Sequence, residues 1–203
     1  MPEIYNPYFK PGFLEVFCGP MNCGKSRELV NIIDRLNYMA HYPYLLVKSQ
    51  IDTRDAGIKT RFGNLELECS RIKNSWEILS FLKKDARVVG VEEVQFLDKE
   101  IISVVKELVR MDKYVICTGL DLDFRGEPFG QMHNLLAIAD EVHKLSAVCN
   151  YQDGDKYCGA PATRTQRLID GKPAPYNSPV ILVGDKKEGY YPRCLKHHFV
   201  PKE

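Results

Sequence analysis

Phosphate is handled by backbone amides, a lysine and a hydroxyl, and this chain collects all three in GPMNCGKS, Gly19 to Ser26, spaced G-x-x-x-x-G-K-S. Its glycines let the backbone fold tightly enough to aim successive N–H groups at phosphate oxygens. Lys25 is then placed to reach the β- and γ-phosphates, and the Ser26 hydroxyl to bind the accompanying Mg²⁺. The matching acid groups are Glu92 and Glu93, adjacent carboxylates closing the apolar run RVVGV. Adjacent residues in an extended segment point to opposite sides, so one carboxylate is expected to face the metal and the other the acceptor. The bland alternative is two exposed glutamates at a strand end. Asp52 and Arg54 sit in QIDTRDAG, just past another strand, where open α/β sheets place ligand groups; a solvated loop is the competing reading. Phe124, Arg125 and Phe129 lie in LDLDFRGEPFG, also past a strand end, with aromatics able to sandwich a flat base or to pack under the loop.

A second chemistry is concentrated near the C-terminus. Cys149 and Cys158 form one pair, and Cys194 with His197 another at C-x₂-H spacing. Together they suit a closed, tetrahedral Cys₃His zinc site; His198 could take the place of His197, and two reduced, unligated pairs also remain open. The first gap, C-x₈-C, is longer than an ordinary knuckle. The surrounding stretch is rich in Gly, Pro and Asp with only short β-like runs, the kind of segment that needs a staple.

These residues need elements to position them. FLEVFC (13–18) reads as a strand entering the glycine turn, and residues 25–40 as the helix leaving it, with Leu29, Ile32, Ile33, Leu36 and Met39 at helical spacing. PYLLVKS (43–49) completes a strand–helix–strand βαβ unit. IKTRF-GN-LELECSRI reads as a hairpin turning at Gly63-Asn64, SWEILSFLKK as a short helix, and RVVGV as a strand. KEIISVVKELVRM is an amphipathic helix, KYVICTG a buried strand, HNLLAIAD a helix, and EVHKLSAVC a last strand. The expected architecture is a mainly parallel α/β sheet of the P-loop NTPase, RecA-like type over residues 1–146, followed by a small zinc-binding unit over 147–203.

Bulk composition narrows the function classes. Among 203 residues the net charge is +1 and the signs are interleaved, so no basic stripe calls for nucleic acid and no polybasic segment for a membrane surface. No apolar run reaches membrane-spanning length and the N-terminus lacks a secretory pattern, so a cytoplasmic location is expected. Seven cysteines in that setting argue for thiols and metal ligands rather than a disulfide framework. Cys18, Cys69 and Cys117, in apolar runs, read as core fillers.

In combination, GPMNCGKSRE, the segment Glu92-Glu93-Val94-Gln95-Phe96, GLDLDFRGEPFG, and CGAPATRTQRL with its later cysteine–histidine pair resemble the zinc-containing (type II) cytosolic thymidine kinases, from about Phe13 to Phe199. The resemblance implies transfer of the γ-phosphoryl group of ATP to the 5′-hydroxyl of thymidine. It places Gly19, Met21, Asn22, Cys23, Gly24, Lys25 and Ser26 at ATP, with Asp52, Arg54, Glu92 and Gln95 on the nucleotide and Mg²⁺ side and Glu93 as the catalytic base. Met21, Phe96, Leu120, Phe124, Phe129, Thr165, Val180, Leu182 and Tyr190 would line the thymidine pocket. The zinc-stapled segment would close over the base as a lasso, reading it through backbone groups. A homotetramer and feedback inhibition by the end-product triphosphate are implied as well. Three departures stand out: Glu92 where the family has aspartate, Cys23 where it has serine, and the long NYQDGDKY insert between Cys149 and Cys158. The rival expectations are a kinase for another deoxynucleoside or a nucleotide, and a RecA-like ATPase with a zinc ribbon. A GTPase is disfavoured because no N-K-x-D motif is present.

Overall fold

The computed structural model describes residues 8–40, 43–52, 57–59, 66–181 and 188–202. Strand β1 (Phe13–Cys18) enters the glycine turn, and α1 (Lys25–Ala40) leaves it. There follow β2 (Tyr44–Ser49), β3 (Ile58–Lys59), β4 (Glu66–Leu67), β5 (Ser70–Ile72), α2 (Glu77–Phe81) and β6 (Val88–Glu92). Then come α3 (Ile101–Arg110), β7 (Tyr114–Gly119), α4 (Met132–Ile138) and β8 (Glu141–Lys144). Six of these strands form one sheet in the order β5-β2-β6-β7-β1-β8, and every pairing in it is parallel. This is the P-loop, RecA-like α/β architecture expected from the pattern.

Side-chain alternation divides the core into two layers. Leu14, Val16, Cys18, Val89, Val91, Val115 and Cys117 point to the face covered by α2, α3 and α4, meeting Ile78, Val104, Val105, Leu108 and Leu135. Phe17, Leu46, Val88, Tyr114 and Ile116 point to the face covered by α1, meeting Leu29, Val30, Ile33 and Leu36. The central strands β1, β6 and β7 are buried on both sides, which is why these runs are largely apolar rather than alternating. Burial pushes the thiol of Cys117 up to about 12 and, with the Asp121 carboxylate, that of Cys18 up to about 11, so these two are core fillers as expected. Cys69 is only half buried.

The opening strand–helix–strand unit is present, its two strands parallel in one sheet with β7 and β6 between them. Two local expectations are corrected. The hairpin reading holds only for its first steps, Ile58↔Leu67 and Lys59↔Glu66; its Gly63-Asn64 turn lies outside the described residues. The rest of that run, Ser70–Ile72, leaves the hairpin and adds to β2 as a parallel edge strand. Finally, Glu92 and Glu93 do not share an extended segment. Glu92 ends β6, while Glu93 takes left-handed backbone (φ 51°, ψ 45°) ahead of a 3₁₀ turn at Val94–Phe96.

After Lys144 the chain builds small antiparallel pieces. β9 (Ala147–Val148) pairs with β12 (Pro161–Ala162). Between them, β10 (Gln152–Asp153) and β11 (Lys156–Tyr157) form a hairpin. β13 (Arg164–Ile169), β14 (Lys172–Pro173) and β15 (Glu188–Arg193) form a three-stranded sheet in the order β14-β13-β15.

Candidate active site and cysteine–histidine centre

The glycine turn is shaped by two contacts a side chain would forbid. Gly19 has φ 141°, and a Cβ there would lie 2.4 Å from the Leu145 carbonyl oxygen and 2.9 Å from Cys23 Sγ. Lys25 is buried at the start of α1, its Nζ donating to the carbonyls of Gly19 (3.2 Å) and Pro20 (2.8 Å) and lying 3.6 Å from Cys23 Sγ. The ammonium is therefore parked inside the loop whose amides would receive phosphate. One turn on, the Ser26 hydroxyl donates to Glu92 Oε1 at 2.5 Å. Serine and glutamate oxygens make a hard, all-oxygen donor pair at a helix N-terminus, which fits Mg²⁺.

β6 and β7 separate this pole from a second one. Glu92 shares the α1 face with Val88, and its strand neighbour in register is Lys48. Buried Lys48 donates to Asp52 Oδ2 and to the Gly57 carbonyl, both at 3.4 Å, so Asp52 is fixed beside the carboxylate strand. Arg54 lies outside the described residues. Glu93 turns elsewhere: its Oε2 accepts a short hydrogen bond from Gln95 Nε2, while Gln95 Oε1 accepts from the Leu120 amide at 3.0 Å. Both carboxylates are buried, Glu92 at 7% exposure and Glu93 at 8%, against the reading of two solvated glutamates. Left-handed backbone at a non-glycine residue costs about 1–2 kcal/mol, and such strain tends to collect at working positions. The opposed directions expected for the two side chains are met, but by this kink rather than by strand alternation.

The segment after β7 is a self-supporting loop. Leu122 bridges Pro128, Asp123 N donates to the Glu127 carbonyl, and Phe129 N to that of Asp121. The Asp123 carboxylate accepts from Arg125 N and Glu127 N and pairs with the Arg125 guanidinium at 2.8 Å. Phe124 and Phe129 are buried. Phe129 meets Phe96 edge-on at 5.7 Å, and Arg125 and Arg167 lie 5.9 and 5.4 Å from the Phe124 ring. Both rings are thus buried and held by these ring contacts. Leu120 is buried where this loop begins.

Thr165, buried on β13, comes to the phosphate loop: its hydroxyl accepts from the Met21 amide at 3.0 Å. Fully buried Arg167 was not anticipated; it donates to the Pro179 carbonyl at 2.5 Å and lies 6.0 Å from the Tyr190 ring. It thereby fixes the segment that reaches half-buried Val180. Leu182 falls outside the described residues. Asn22 and Gly24 are exposed at the loop's outer edge.

Cys149, Cys158, Cys194 and His197 converge, with one ligand atom from each lying within 4.8 Å of the others. Cys158 Sγ is 3.9 Å from Cys194 Sγ, and His197 Nδ1 is 3.7 Å from Cys149 Sγ and 3.4 Å from Cys194 Sγ. A tetrahedral zinc with ordinary Zn–S and Zn–N lengths sets its ligands about 3.5–3.8 Å apart, so the group is compatible with that metal. Burial pushes the Cys149 thiol up, but backbone N–H groups of Cys194 and Tyr151, with His197 and Cys158, outweigh it and bring it down to about 6. The thiolate a metal requires is already favoured. The long C-x₈-C gap is taken up by the β10–β11 hairpin, which returns the chain so that Cys158 N meets the Tyr151 carbonyl at 2.9 Å. His198 lies apart: its Nε2 donates to the Phe124 carbonyl at 2.8 Å. Cys23 of the phosphate loop packs against this cysteine group.

A second grouping, Glu15, Glu141 and His143, sits on the β1–β8 edge. There Lys10 Nζ bridges the two carboxylates at 3.0 and 2.6 Å, so the chain supplies its own cation.

Among solved structures the chain is similar to flagellar accessory protein FlaH from Methanocaldococcus jannaschii. The TM-score is 0.46 at 11% identity, covering 73% of this chain and 76% of that one. A sequence model of the thymidine kinase family matches residues 12–198, nearly the whole length that holds the phosphate loop, the carboxylate kink, the Leu120–Gly130 loop and the cysteine–histidine group, and the chain belongs to that family.

Proposed function

We propose that this protein is an ATP-dependent thymidine kinase, transferring the γ-phosphoryl group of ATP to the 5′-hydroxyl of thymidine to give dTMP for DNA precursor synthesis. The observation that carries the reading is the division at β6: Ser26 and Glu92 joined on the α1 side, and Glu93 held by Gln95 on the other side, beside the Leu120 loop. In a thymidine kinase family member, that division supports reading the Ser26–Glu92 side as a metal pole and the Glu93 side as the acceptor pole.

In this mechanism the amides of Gly19 to Ser26 cradle the triphosphate, and Lys25 leaves its loop carbonyls for the β- and γ-phosphates. Ser26 and Glu92 would hold Mg²⁺, which supplies charge neutralisation for the transferring group when bound. Asp52 and Arg54 support the phosphates and the sugar hydroxyl. Glu93 orients the 5′-hydroxyl and takes its proton; most of the acceleration comes from positioning and fixed charge. Residues 1–146 act as the ATP-binding domain. Residues 147–203, stapled by zinc on Cys149, Cys158, Cys194 and His197, fold over the nucleoside, with Met21, Phe96, Leu120, Phe124, Phe129, Thr165, Val180, Leu182 and Tyr190 lining its pocket. A cytoplasmic homotetramer inhibited by its end-product triphosphate completes the reading. No helix among the described residues is long and apolar enough to cross a membrane.

The test is ATP-dependent phosphorylation across a panel of nucleosides, following ADP release and labelled product together. Thymidine is expected to be turned over ahead of the others. Preference for another nucleoside would leave the reaction and change the substrate; ATP turnover with no nucleoside labelled would overturn the acceptor reading. Glu93→Gln is expected to keep the fold and ATP binding and to lose about 10²–10⁴-fold in kcat.

A further inference from the structure

The last two residues of β7 face opposite poles of the site. A Cβ at Gly119 would meet Gln95 Oε1 at 2.6 Å and Met132 Sδ at 2.8 Å, so Gly119 abuts the Glu93–Gln95 side. Thr118 alternates to the other face, that of Tyr114 and Ile116, over which α1 lies. Its partner on β1 is Phe17. On β6 the paired register runs to Val91↔Cys117, so the next step sets Thr118 opposite Glu92, about 4.8 Å away across the strands. Lys48, Glu92 and Thr118 thus form one row on one face, beneath Ser26 and the first turn of α1.

Thr118 is 1% exposed, and its hydroxyl has no hydrogen-bond partner among the described residues. Leaving a buried hydroxyl unpaired costs about 1–3 kcal/mol. Valine has the same shape and would fill this spot without that cost. Strand propensity and packing therefore give no reason for a threonine here, whereas a ligand that completes the hydroxyl does.

We propose that Thr118 is a positioning residue of the metal–phosphate pole, its hydroxyl and the Glu92 carboxylate together holding a water of the Mg²⁺ shell. This rests on the kinase reading above only as far as metal–nucleotide binding, and not on the acceptor. A glutamate is long enough to leave room for a water between itself and a cation, and such a water needs at least one further fixed partner. The serine hydroxyl holds the Glu92 carboxylate at Oε1, and the threonine hydroxyl would hold the water.

The experiment compares wild type, Thr118→Val and Thr118→Ser by Mn²⁺ EPR titration in the presence of a non-hydrolysable ATP analogue, with analogue affinity also measured in the absence of metal. Thr118→Val is expected to bind Mn²⁺ about tenfold more weakly, with metal-free nucleotide affinity and thermal stability unchanged or slightly improved. Thr118→Ser should return Mn²⁺ binding to within about twofold of wild type. Unchanged Mn²⁺ affinity in Thr118→Val, or equal losses in the valine and serine variants, would overturn the assignment. If the valine variant does not fold, Thr118→Ala against Thr118→Ser makes the same comparison. Wild-type protein that fails to bind the analogue at all would instead count against the kinase reading.

Discussion

The side-chain amide of Gln95 serves two neighbours, donating to Glu93 and accepting from the Leu120 backbone. Gln95→Leu keeps the bulk but strips both bonds, leaving the buried Leu120 N–H unpaired and the Glu93 carboxylate without its Gln95 anchor. Because misplacing a reacting group by about 1 Å is worth about 10²-fold, kcat is expected to fall by about that factor while KM for ATP holds. A loss confined to KM for ATP would instead place Gln95 on the nucleotide. At this scale the sequence was legible where chemistry is written as local spacing. Lys25, Ser26 and the two glutamates are found from neighbours in the chain alone. Lys48 and Thr118 were not found, because one polar residue inside an apolar run carries no local sign of its partner, and Arg167 was not found because it sits among other polar residues in RTQRLI. Only the register of β2, β6 and β7, or the approach of Pro179, gives them meaning.

Among the elements, the 3₁₀ turn at Val94–Phe96 is clamped between the end of β7 and the loop that follows it. Gly130 closes the clamp: its φ is 51°, and a Cβ there would lie 2.3 Å from the Gln95 carbonyl oxygen. Backbone strain and a clash with main chain together put the expected cost of Gly130→Ala at about 2–4 kcal/mol, readable as a lowered urea midpoint. Activity should fall with it, since the displaced turn carries Glu93. Unaltered stability would mean that the loop slides past the turn freely. Element identity was readable because apolar periodicity is local: β1 and α1 fall where the pattern put them. Strand order was not. Nothing in FLEVFC or PYLLVKS records that β7 and β6 will come between them, since neighbour choice depends on how all the helices cover both faces. The kink at Glu93 was likewise hidden, as its residues read equally well as the tail of a strand.

Across the whole molecule, the segment after Lys144 is built of short antiparallel pieces, drawn together by the cysteine–histidine group and tied to the α/β sheet unit by bonds such as His198 to the Phe124 carbonyl and Met21 N to the Thr165 hydroxyl. Purified protein washed with chelator is expected to keep about one zinc per chain, and elemental analysis showing none would remove the staple. The Cys149 thiol lies at about 6, below a free thiol. In the metal-free protein its contribution is therefore complete above the free-thiol range and is lost as pH falls through about 6; bound zinc holds the thiolate lower still, so zinc release and a drop in melting temperature should coincide below that pH. Insensitivity of both to acid would show that the thiolate does not hold the fold. The Met21 amide held by the Thr165 hydroxyl has a further consequence. One hydrogen bond joins the backbone that would grip phosphate to the strand that would grip the base. Whatever coupling it carries between the two proposed substrates is reciprocal, each changing the other's affinity by the same factor.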